Sequence, residues 1–179
     1  MKNRLSDNEK RVLTCLIKDG RTTCTEMARE LGITSQAVGK IKEKLEREGF
    51  ISGYTAVVDQ EQLGITVLAI AFFRFKSGAW TKMEEKDILD RVKGPHLINV
   101  YRVPVGDVTH MVVYGFRNIK EMDNYFHRLQ TEREHISELK SLYVLSTGSV
   151  MKDSPNELLL KIIDEMGHEE MARPETPSA

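Results

Sequence analysis

The feature that most constrains the fold is a pair of short helices joined by a glycine turn near the N-terminus. Residues Thr23-Cys24-Thr25-Glu26 form a capping box, in which the threonine hydroxyl and the glutamate carboxylate satisfy free amides at a helix start. Gly32 ends this helix, and the cap of the next helix, Thr34 or Ser35, follows almost at once. Two helices this close, with glycine in the turn, predict a helix-turn-helix unit.

A further helix precedes the pair, and a short β segment follows it. Residues Ser6-Asp7-Asn8-Glu9 form a second capping box, and apolar residues recur behind it with helical spacing up to Asp19-Gly20. After Gly49, the segment FISGYTAVVD contains two short apolar pieces around Ser52-Gly53, which predict a small hairpin or wing. The first 59 residues are therefore predicted to form a winged helix-turn-helix domain.

The helix over residues 34 to 49 has an unusual first turn of small polar residues, Thr34, Ser35 and Gln36. A helix that enters the major groove needs such a turn, because its N-terminal amides and dipole lie closest to phosphates and base edges. Glutamine can also pair with adenine through two hydrogen bonds. This helix therefore predicts a DNA-recognition element.

Three more residues of the same helix support that prediction. Gly39 would let the backbone approach a duplex closely, and Lys40 and Lys44, four residues apart, suit phosphate or guanine contact. Two other interpretations remain open. Alternating Lys and Glu are also typical of a solvated helix surface. Gly39 would equally allow close packing of two helices.

Composition excludes several classes of protein. The net charge is -1, made of +2 over residues 1 to 59 and -3 over the rest, so charge alone does not indicate a polyanion partner. The longest apolar run, VLAIAFF, is too short for a membrane span, and the N-terminus has no signal-peptide core, so we expect a cytoplasmic protein. With only two cysteines, we expect no disulfide framework, no metal site and no cofactor.

From residue 66 the periodicity changes to that of a different domain. Strands are predicted at 66–76, 96–103, 108–116 and 139–146, and helices at 80–93 and 118–131. This order is that of the ferredoxin-like βαββαβ arrangement, whose helices cover one face of a four-stranded sheet. The first strand is apolar on both sides, so the other face also needs a cover, and a second copy of the chain would supply it.

The residues after the sheet predict one more helix and a polar tail. Ser154-Pro155-Asn156-Glu157 supplies a cap, a proline at the first helical position and a glutamate, and an apolar side follows. The helix should pack on something, and a partner subunit is one candidate. The predicted domains are a winged helix-turn-helix at 1–59, a linker at 60–65, a ferredoxin-like domain at 66–150, a C-terminal helix at 151–168 and a disordered tail at 169–179. The fold class is α+β.

Over about residues 5 to 150 the sequence resembles the Lrp/AsnC family of prokaryotic transcription regulators. The helix pair, the EGFI that leaves it, the strand GYTAVVD and Gly64 carry the resemblance in the first half. The βαββαβ half resembles the family's dimerisation and amino-acid-sensing domain. The resemblance implies a regulator that binds double-stranded DNA as a dimer or higher homo-oligomer and presents two recognition helices to a pseudo-palindromic operator.

The resemblance also implies which residues bind DNA and effector. Base contacts fall to Ser35, Gln36, Gly39 and Lys40. Contacts to the DNA backbone fall to Thr22, Thr23, Thr25, Lys44 and the wing from Ser52 to Tyr54. The family's effector site has a glycine, two residues and an aspartate between the second and third strands. This chain keeps Gly106 but has Thr109 in place of the aspartate, so Asp107 could substitute only in a rearranged turn.

Two functions of other classes compete with the regulator. The first is a tetrapyrrole decarboxylase of related architecture, whose candidate residues are His96, Tyr101, Arg102 and His110. Their spacing matches no nucleophile, metal or acid–base motif. The second is a ligand-binding or architectural protein whose helix-turn-helix mediates contacts without reading DNA.

Overall fold

The computed structural model describes residues 5–76 and 94–168, which divide into two compact units. The first unit contains the described residues up to Val57 together with those from Lys152 onward, and the second contains the residues from Val58 to Met151. The chain therefore leaves the first unit and later returns to it. The helix predicted at 80–93 and the tail predicted at 169–179 lie outside the described residues.

The first unit begins with three helices, as the sequence predicts. They are α1 (Asp7–Lys18), α2 (Cys24–Leu31) and α3 (Ser35–Arg47). Both predicted capping boxes are present, because the Ser6 and Thr23 hydroxyls accept bonds from the amides of the glutamates that bond back to the cap amides. The three helices pack around a core whose completely buried side chains are Val12, Met27, Val38 and Leu45.

The C-terminal helix α5 (Asn156–His168) belongs to this first unit and packs on α1. The side-chain amide of Asn156 donates to the carbonyl of Ile17 at 3.1 Å, and the ammonium of Lys10 donates to the carbonyl of Met166 at 3.2 Å. Since the start of α5 meets the end of α1, the two helices run antiparallel. The predicted C-terminal helix thus packs on α1 of its own chain.

The hairpin predicted around Ser52-Gly53 does not form in the described structure, and that part of the prediction is wrong. Residues 51–59 contain no strand, and Ser52 through Asp59 are exposed. An isolated two-stranded hairpin is marginal in water unless one face packs against other structure. Here the apolar residues of the segment, including Val57 and Val58, remain open to solvent.

The segment predicted as a linker, 60–65, is an ordered turn at the start of the second unit. The amide of Glu61 donates to Oδ1 of Asp59 at 2.9 Å, and the amide of Ile65 donates to the carbonyl of Gln60 at 3.0 Å. The Thr147 hydroxyl also donates to the Glu61 carboxylate at 2.7 Å. These bonds attach the segment to the second unit.

The second unit is an antiparallel four-stranded sheet with a helix on one face. Its elements are β1 (Val67–Phe75), β2 (Leu97–Arg102), β3 (His110–Phe116), α4 (Ile119–Arg133) and β4 (Ser137–Ser146), followed by a short 3-10 turn (Thr147–Ser149). The strand order is β2-β3-β1-β4, and every pairing is antiparallel. This order is that of the predicted ferredoxin-like sheet.

The two faces of the sheet differ in what covers them. Alternate residues of β1, among them Ala69, Ala71 and Phe73, are buried in a core that includes Met122 and Phe126 of α4. The opposite face carries apolar side chains that stay partly or fully exposed. We call this the open sheet face; its members are Leu68, Ile70, Phe72, Met111, Val113, Tyr143 and Leu145. The prediction that β1 is apolar on both sides is confirmed.

Candidate nucleic-acid interface

The turn between α2 and α3 is set by local hydrogen bonds. Gly32 adopts a left-handed conformation with φ of 71°, which closes α2, and the amides of Gly32 and Ile33 both donate to the carbonyl of Ala28. The Thr34 hydroxyl then accepts from the amide of Ala37 at 3.1 Å and starts α3. The direction of α3 thus follows from the residues between its cap and the end of α2.

The N-terminus of α3 differs from those of α1 and α2. Both earlier helices have acidic side chains in the first turn, and each has a glutamate bound to its cap. The first turn of α3 has no acidic residue. The N-terminal end of a helix dipole is positive and attracts anions. At the N-terminus of α3 this positive potential is not offset by a carboxylate in the first turn. Such an end suits a phosphate or the electronegative edge of a base.

One side of α3 stays free of the core, and we call it the open α3 face. At about 100° per residue, the helix brings together residues separated by three and four positions. The members of this face are Ser35, Gln36, Gly39, Lys40, Glu43 and Arg47. The sequence predicts base contacts for four of them, and Glu43 and Arg47 share the same face without having been predicted. Their positions seven and eleven residues after Gln36 would have revealed them.

Gly39 has no packing role within the described chain. A Cβ atom built at this position would meet nothing within 4 Å outside its neighbours and helix backbone. The alternative that Gly39 lets two helices pack closely therefore finds no support. A glycine in a helix interior costs about 1 kcal/mol relative to alanine, so its presence needs a reason outside the chain. Close approach of a DNA duplex is such a reason.

Lys44 is engaged inside the unit. Its ammonium lies 2.5 Å from Oε1 of Glu9, whose side chain is only 8% exposed, whereas that of Lys44 is 39% exposed. The bond from Lys44 is the main cause that lowers the pKa of Glu9, followed by the bond from the Ser6 amide. The sequence placed Lys44 beside Lys40 as a contact for DNA. The structure gives Lys44 a partner that joins α3 to α1, while Lys40 is exposed.

The three threonines predicted to contact phosphates have different surroundings. The Thr22 hydroxyl donates to the carbonyl of Asp19 at 2.8 Å, and the Thr23 hydroxyl donates to the Glu26 carboxylate at 2.7 Å. Phosphate oxygens accept hydrogen bonds, so a hydroxyl that already donates to a protein acceptor is less available to bind a phosphate. Thr25 is exposed on the first turn of α2. It is the best placed of the three for a phosphate.

Tyr54 is bound to α3 even though the predicted hairpin around it is absent. Its phenol donates to the Glu46 carboxylate at 2.8 Å, and the Lys42 ammonium lies 5.1 Å from the centre of its ring. Partial desolvation of the phenol against α3, together with the bond to Glu46, raises the pKa of Tyr54 to about 12. Ser52, two residues earlier, is exposed. The segment therefore has one anchored residue beside the open α3 face.

The predicted effector residues lie at and after the turn between β2 and β3. Gly106 has φ of 114°, and both Gly106 and Asp107 are exposed. Thr109 has a structural role, because its hydroxyl donates to the carbonyl of Phe73 at 3.1 Å and accepts from the amide of Phe75 at 2.9 Å. The position that the family fills with an aspartate is therefore occupied by a side chain bonded to β1. Asp107 is the carboxylate that the turn offers.

The residues considered for a decarboxylase do not converge. These are His96, Tyr101, Arg102 and His110. Nδ1 of His96 lies 3.2 Å from the carbonyl oxygen of Gly115, whereas His110 pairs with Arg102 at the far end of β2 and β3. Burial, and to a smaller extent the charge of Arg102, lowers the pKa of His110. Within residues 5–76 and 94–168, no group of three or more His, Cys, Asp or Glu side chains is arranged to hold a metal ion.

The three-helix unit, with its open polar α3 face, defines the class of helix-turn-helix DNA-binding proteins. Residues 5–52 match the family of winged helix-turn-helix DNA-binding domains. The chain is 31% identical over 119 residues to the HTH-type transcriptional regulator LrpA of Pyrococcus horikoshii, across 66% of this chain and 80% of that protein. It is 29% identical over 125 residues to the HTH-type transcriptional regulator FL11 of Pyrococcus furiosus, across 70% and 80%.

The fold is also that of solved regulators. Bacillus subtilis LrpC superposes with a TM-score of 0.66 at 19% identity, across 84% of this chain and 99% of that one. An AsnC family transcriptional regulator from Agrobacterium tumefaciens gives 0.67 at 16% identity, across 84% and 94%. The chain belongs to the Lrp/AsnC family and is a DNA-binding transcriptional regulator. None of the helices in the described part has the length and apolar content needed to cross a membrane.

Proposed function

We propose that this regulator reads operator DNA through the open α3 face, with the N-terminal turn of α3 in the major groove. The observation that carries the proposal is Gly39, a glycine on the surface of a helix where the chain itself leaves room for a side chain. The first turn of α3, free of acidic residues, supports the same placement. Thr34 contributes by capping the helix and thereby fixing its direction.

Individual roles follow from the chemistry of the exposed side chains. Gln36 matches the donor and acceptor pair that adenine presents in the major groove, and Lys40 matches guanine acceptors or a phosphate. Glu43 can accept a hydrogen bond from cytosine, and Arg47 suits a phosphate further along the groove. We assign to Thr25 and Ser52 the contacts with the DNA backbone that position the protein on the duplex.

The experiment is selection of bound fragments from genomic and random DNA, followed by affinity measurements at several salt concentrations. Lys40→Ala should weaken specific binding by about 1 to 3 kcal/mol and relax the preference for one base. Lys18→Ala is the matched control, because Lys18 is an exposed lysine at the end of α1 with the same charge. If selected and random DNA bind equally well, the chain does not read an operator in this way.

We further propose that two chains associate through the open sheet face. An exposed apolar surface of this kind is typical of a contact between subunits, and an identical face is self-complementary under twofold symmetry. Ile70→Asp should then halve the molar mass measured by sedimentation. Asn124→Asp, on the exposed side of α4, should leave it unchanged. An Ile70→Asp chain that is folded and keeps the wild-type mass would contradict this interface.

A dimer places two recognition helices on one duplex, and their sites should lie about 34 Å apart, one helical repeat. Footprinting of a selected operator measures this spacing directly. Two protected half-sites in inverted orientation are the expected result. A single half-site occupied by one chain would contradict the proposed symmetry.

An amino-acid effector at the β2–β3 turn would pair its ammonium with Asp107, because the Thr109 hydroxyl is uncharged and already bonded to β1. Calorimetric titration of the chain with each free amino acid tests this site. Asp107→Asn should abolish any heat of binding, and Asp123→Asn, an exposed aspartate of α4, should not. Binding that survives Asp107→Asn would place the effector elsewhere.

A further inference from the structure

The C-terminal helix α5 packs on α1 with only one side. Ile163 is buried, but the other large apolar side chains of the helix are not. Leu158, Leu159, Ile162 and Met166 are between 39% and 58% exposed. At about 100° per residue these four lie within one arc of roughly 100°, beside the arc that faces α1. Helix α5 therefore has two apolar surfaces. One packs on α1, and the other is exposed.

A row of four large apolar residues on one helix is uncommon as plain surface, because removing side chains of this size from water stabilises a protein. The row follows the spacing by which helices pack against helices, since Leu158, Ile162 and Met166 are four residues apart. The missing partner is therefore expected to be another helix. The charges beside the row indicate which helix fits.

Lys161 and Glu165 lie along the edge of the row that faces away from α1. Their side chains are exposed, and Nζ of Lys161 is 3.6 Å from Oε1 of Glu165. In an antiparallel pair of identical helices, each edge faces the same edge of the partner. With a twofold axis near Ile162, Leu158 faces the partner's Met166, while Lys161 comes within reach of the partner's Glu165 and Glu165 within reach of the partner's Lys161.

We propose that the exposed apolar row of α5 is a self-association surface, on which the α5 helix of a second copy packs antiparallel with Ile162 at the twofold axis. The row is self-complementary in the spacing of its apolar residues and in charge, whereas a parallel pair would bring this edge against Ile163, which is buried on the side that packs on α1. A pair of helices of this length buries less surface than a stable dimer needs. The contact therefore acts together with another interface between copies, and raises the overall affinity through effective concentration.

The first test is disulfide trapping in the full-length chain. Ile162→Cys places a thiol at the twofold axis, so mild oxidation should give a covalent dimer on a non-reducing gel. Glu157→Cys is the matched control, because position 157 is also exposed on α5 but lies on the side away from the row. The wild-type chain controls for its own Cys15 and Cys24. Equal crosslinking at positions 157 and 162 would overturn the proposal.

The second test uses charge reversal in the Ile162→Cys chain. Lys161→Glu or Glu165→Lys alone puts like charges across the contact at two symmetric places, so crosslinking should fall by about tenfold. When the two variants are coexpressed with tags of different mass, opposite charges meet again, and the mixed dimer should predominate. A statistical distribution of the three dimers would overturn the proposal. Circular dichroism of each variant shows whether α5 is still folded.

This inference does not depend on DNA binding, and its test can be separated from the test of the open sheet face. Ile70→Asp tests the sheet contact by molar mass, and the Ile162→Cys crosslink tests the helix contact by position. The crosslink should persist in a chain that also carries Ile70→Asp, at a yield reduced by the loss of effective concentration. A mass change without any crosslink would support the sheet contact and contradict the helix contact.

Discussion

The ammonium of Lys44 on α3 lies 2.5 Å from the carboxylate of Glu9 on α1. The other oxygen of the same carboxylate accepts from the amide of Ser6 at 2.8 Å, so Glu9 both caps α1 and bonds to α3. A buried carboxylate with two charge-assisted or amide bonds is well stabilised only while both remain. The orientation of α3 therefore depends on a residue 35 positions earlier in the chain.

We predict that Glu9→Gln lowers the free energy of unfolding by about 1 to 3 kcal/mol, because the amide retains the cap but loses the ionic bond to Lys44. Urea denaturation followed by circular dichroism measures the change. Glu26→Gln is the matched control, since Glu26 has the same capping role in α2 but no lysine partner among the described residues. Equal losses for the two variants would show that capping alone explains the effect.

The same pair predicts a loss of stability in acid. The pKa of Glu9 is lowered in the folded chain from an ordinary value of 4.5, so the folded state binds fewer protons than the unfolded state. The stabilisation from Glu9 is therefore present above pH 4.5 and declines as the pH falls through the folded pKa. The difference in the free energy of unfolding between wild type and Glu9→Gln should become smaller as the pH falls through this range. A constant difference at every pH would contradict the assignment.

Gly39→Ala is expected to separate stability from function. Alanine should raise the free energy of unfolding by about 1 kcal/mol, because the position is helical and sterically open. The added methyl group should weaken operator binding, because it keeps the duplex away from the helix backbone. Thermal unfolding and gel-shift affinity are measured on the same samples. Unchanged affinity in a more stable chain would remove the main support for the DNA-facing role of Gly39.

Tyr54 should ionise at a higher pH than an ordinary tyrosine. The difference in phenolate absorbance between wild type and Tyr54→Phe should show a group with a pKa of about 12. Because the pKa is raised in the folded state, the stability due to Tyr54 is present below pH 10 and is lost as the pH rises from 10 to about 12. Glu46→Gln should lower this pKa. A difference spectrum that titrates near 10 would mean that the segment is detached from α3.

Thr109→Val should destabilise the second unit by about 1 to 3 kcal/mol, because it leaves the amide of Phe75 without the threonine hydroxyl as acceptor. Thermal unfolding of the full chain measures the loss. Thr131→Val is a suitable control, since its hydroxyl donates to the carbonyl of His127 on an exposed helix surface. A neutral Thr109→Val would mean that the hydroxyl is available for another role, such as effector binding.

The sequence predicted those features that depend on neighbouring residues. The capping boxes at Ser6 and Thr23 need only residues three positions apart, and the two apolar sides of β1 follow from its alternation. The strand order followed from the sequence of elements. These are local or topological properties, and the structure contains all of them.

The sequence did not predict contacts between residues that are far apart in the chain. Nothing in the Lys-Glu alternation of α3 distinguishes Lys44, which binds Glu9, from Lys40, which is exposed. The wing was predicted from turn residues at Ser52-Gly53, but a hairpin also needs a surface on which to pack. The roles of individual DNA contacts remain predictions, since they depend on a duplex as well as on this chain.

The position of α5 has a consequence for how the first unit folds. Asn156 of α5 bonds to Ile17 of α1 across 139 positions of the chain, and the sheet unit lies between them. The packing of α5 on α1 therefore closes a loop that contains the whole second unit, and it forms only after both helices have been translated. A truncation between the sheet and α5 would leave every strand in place and remove a helix that packs on α1.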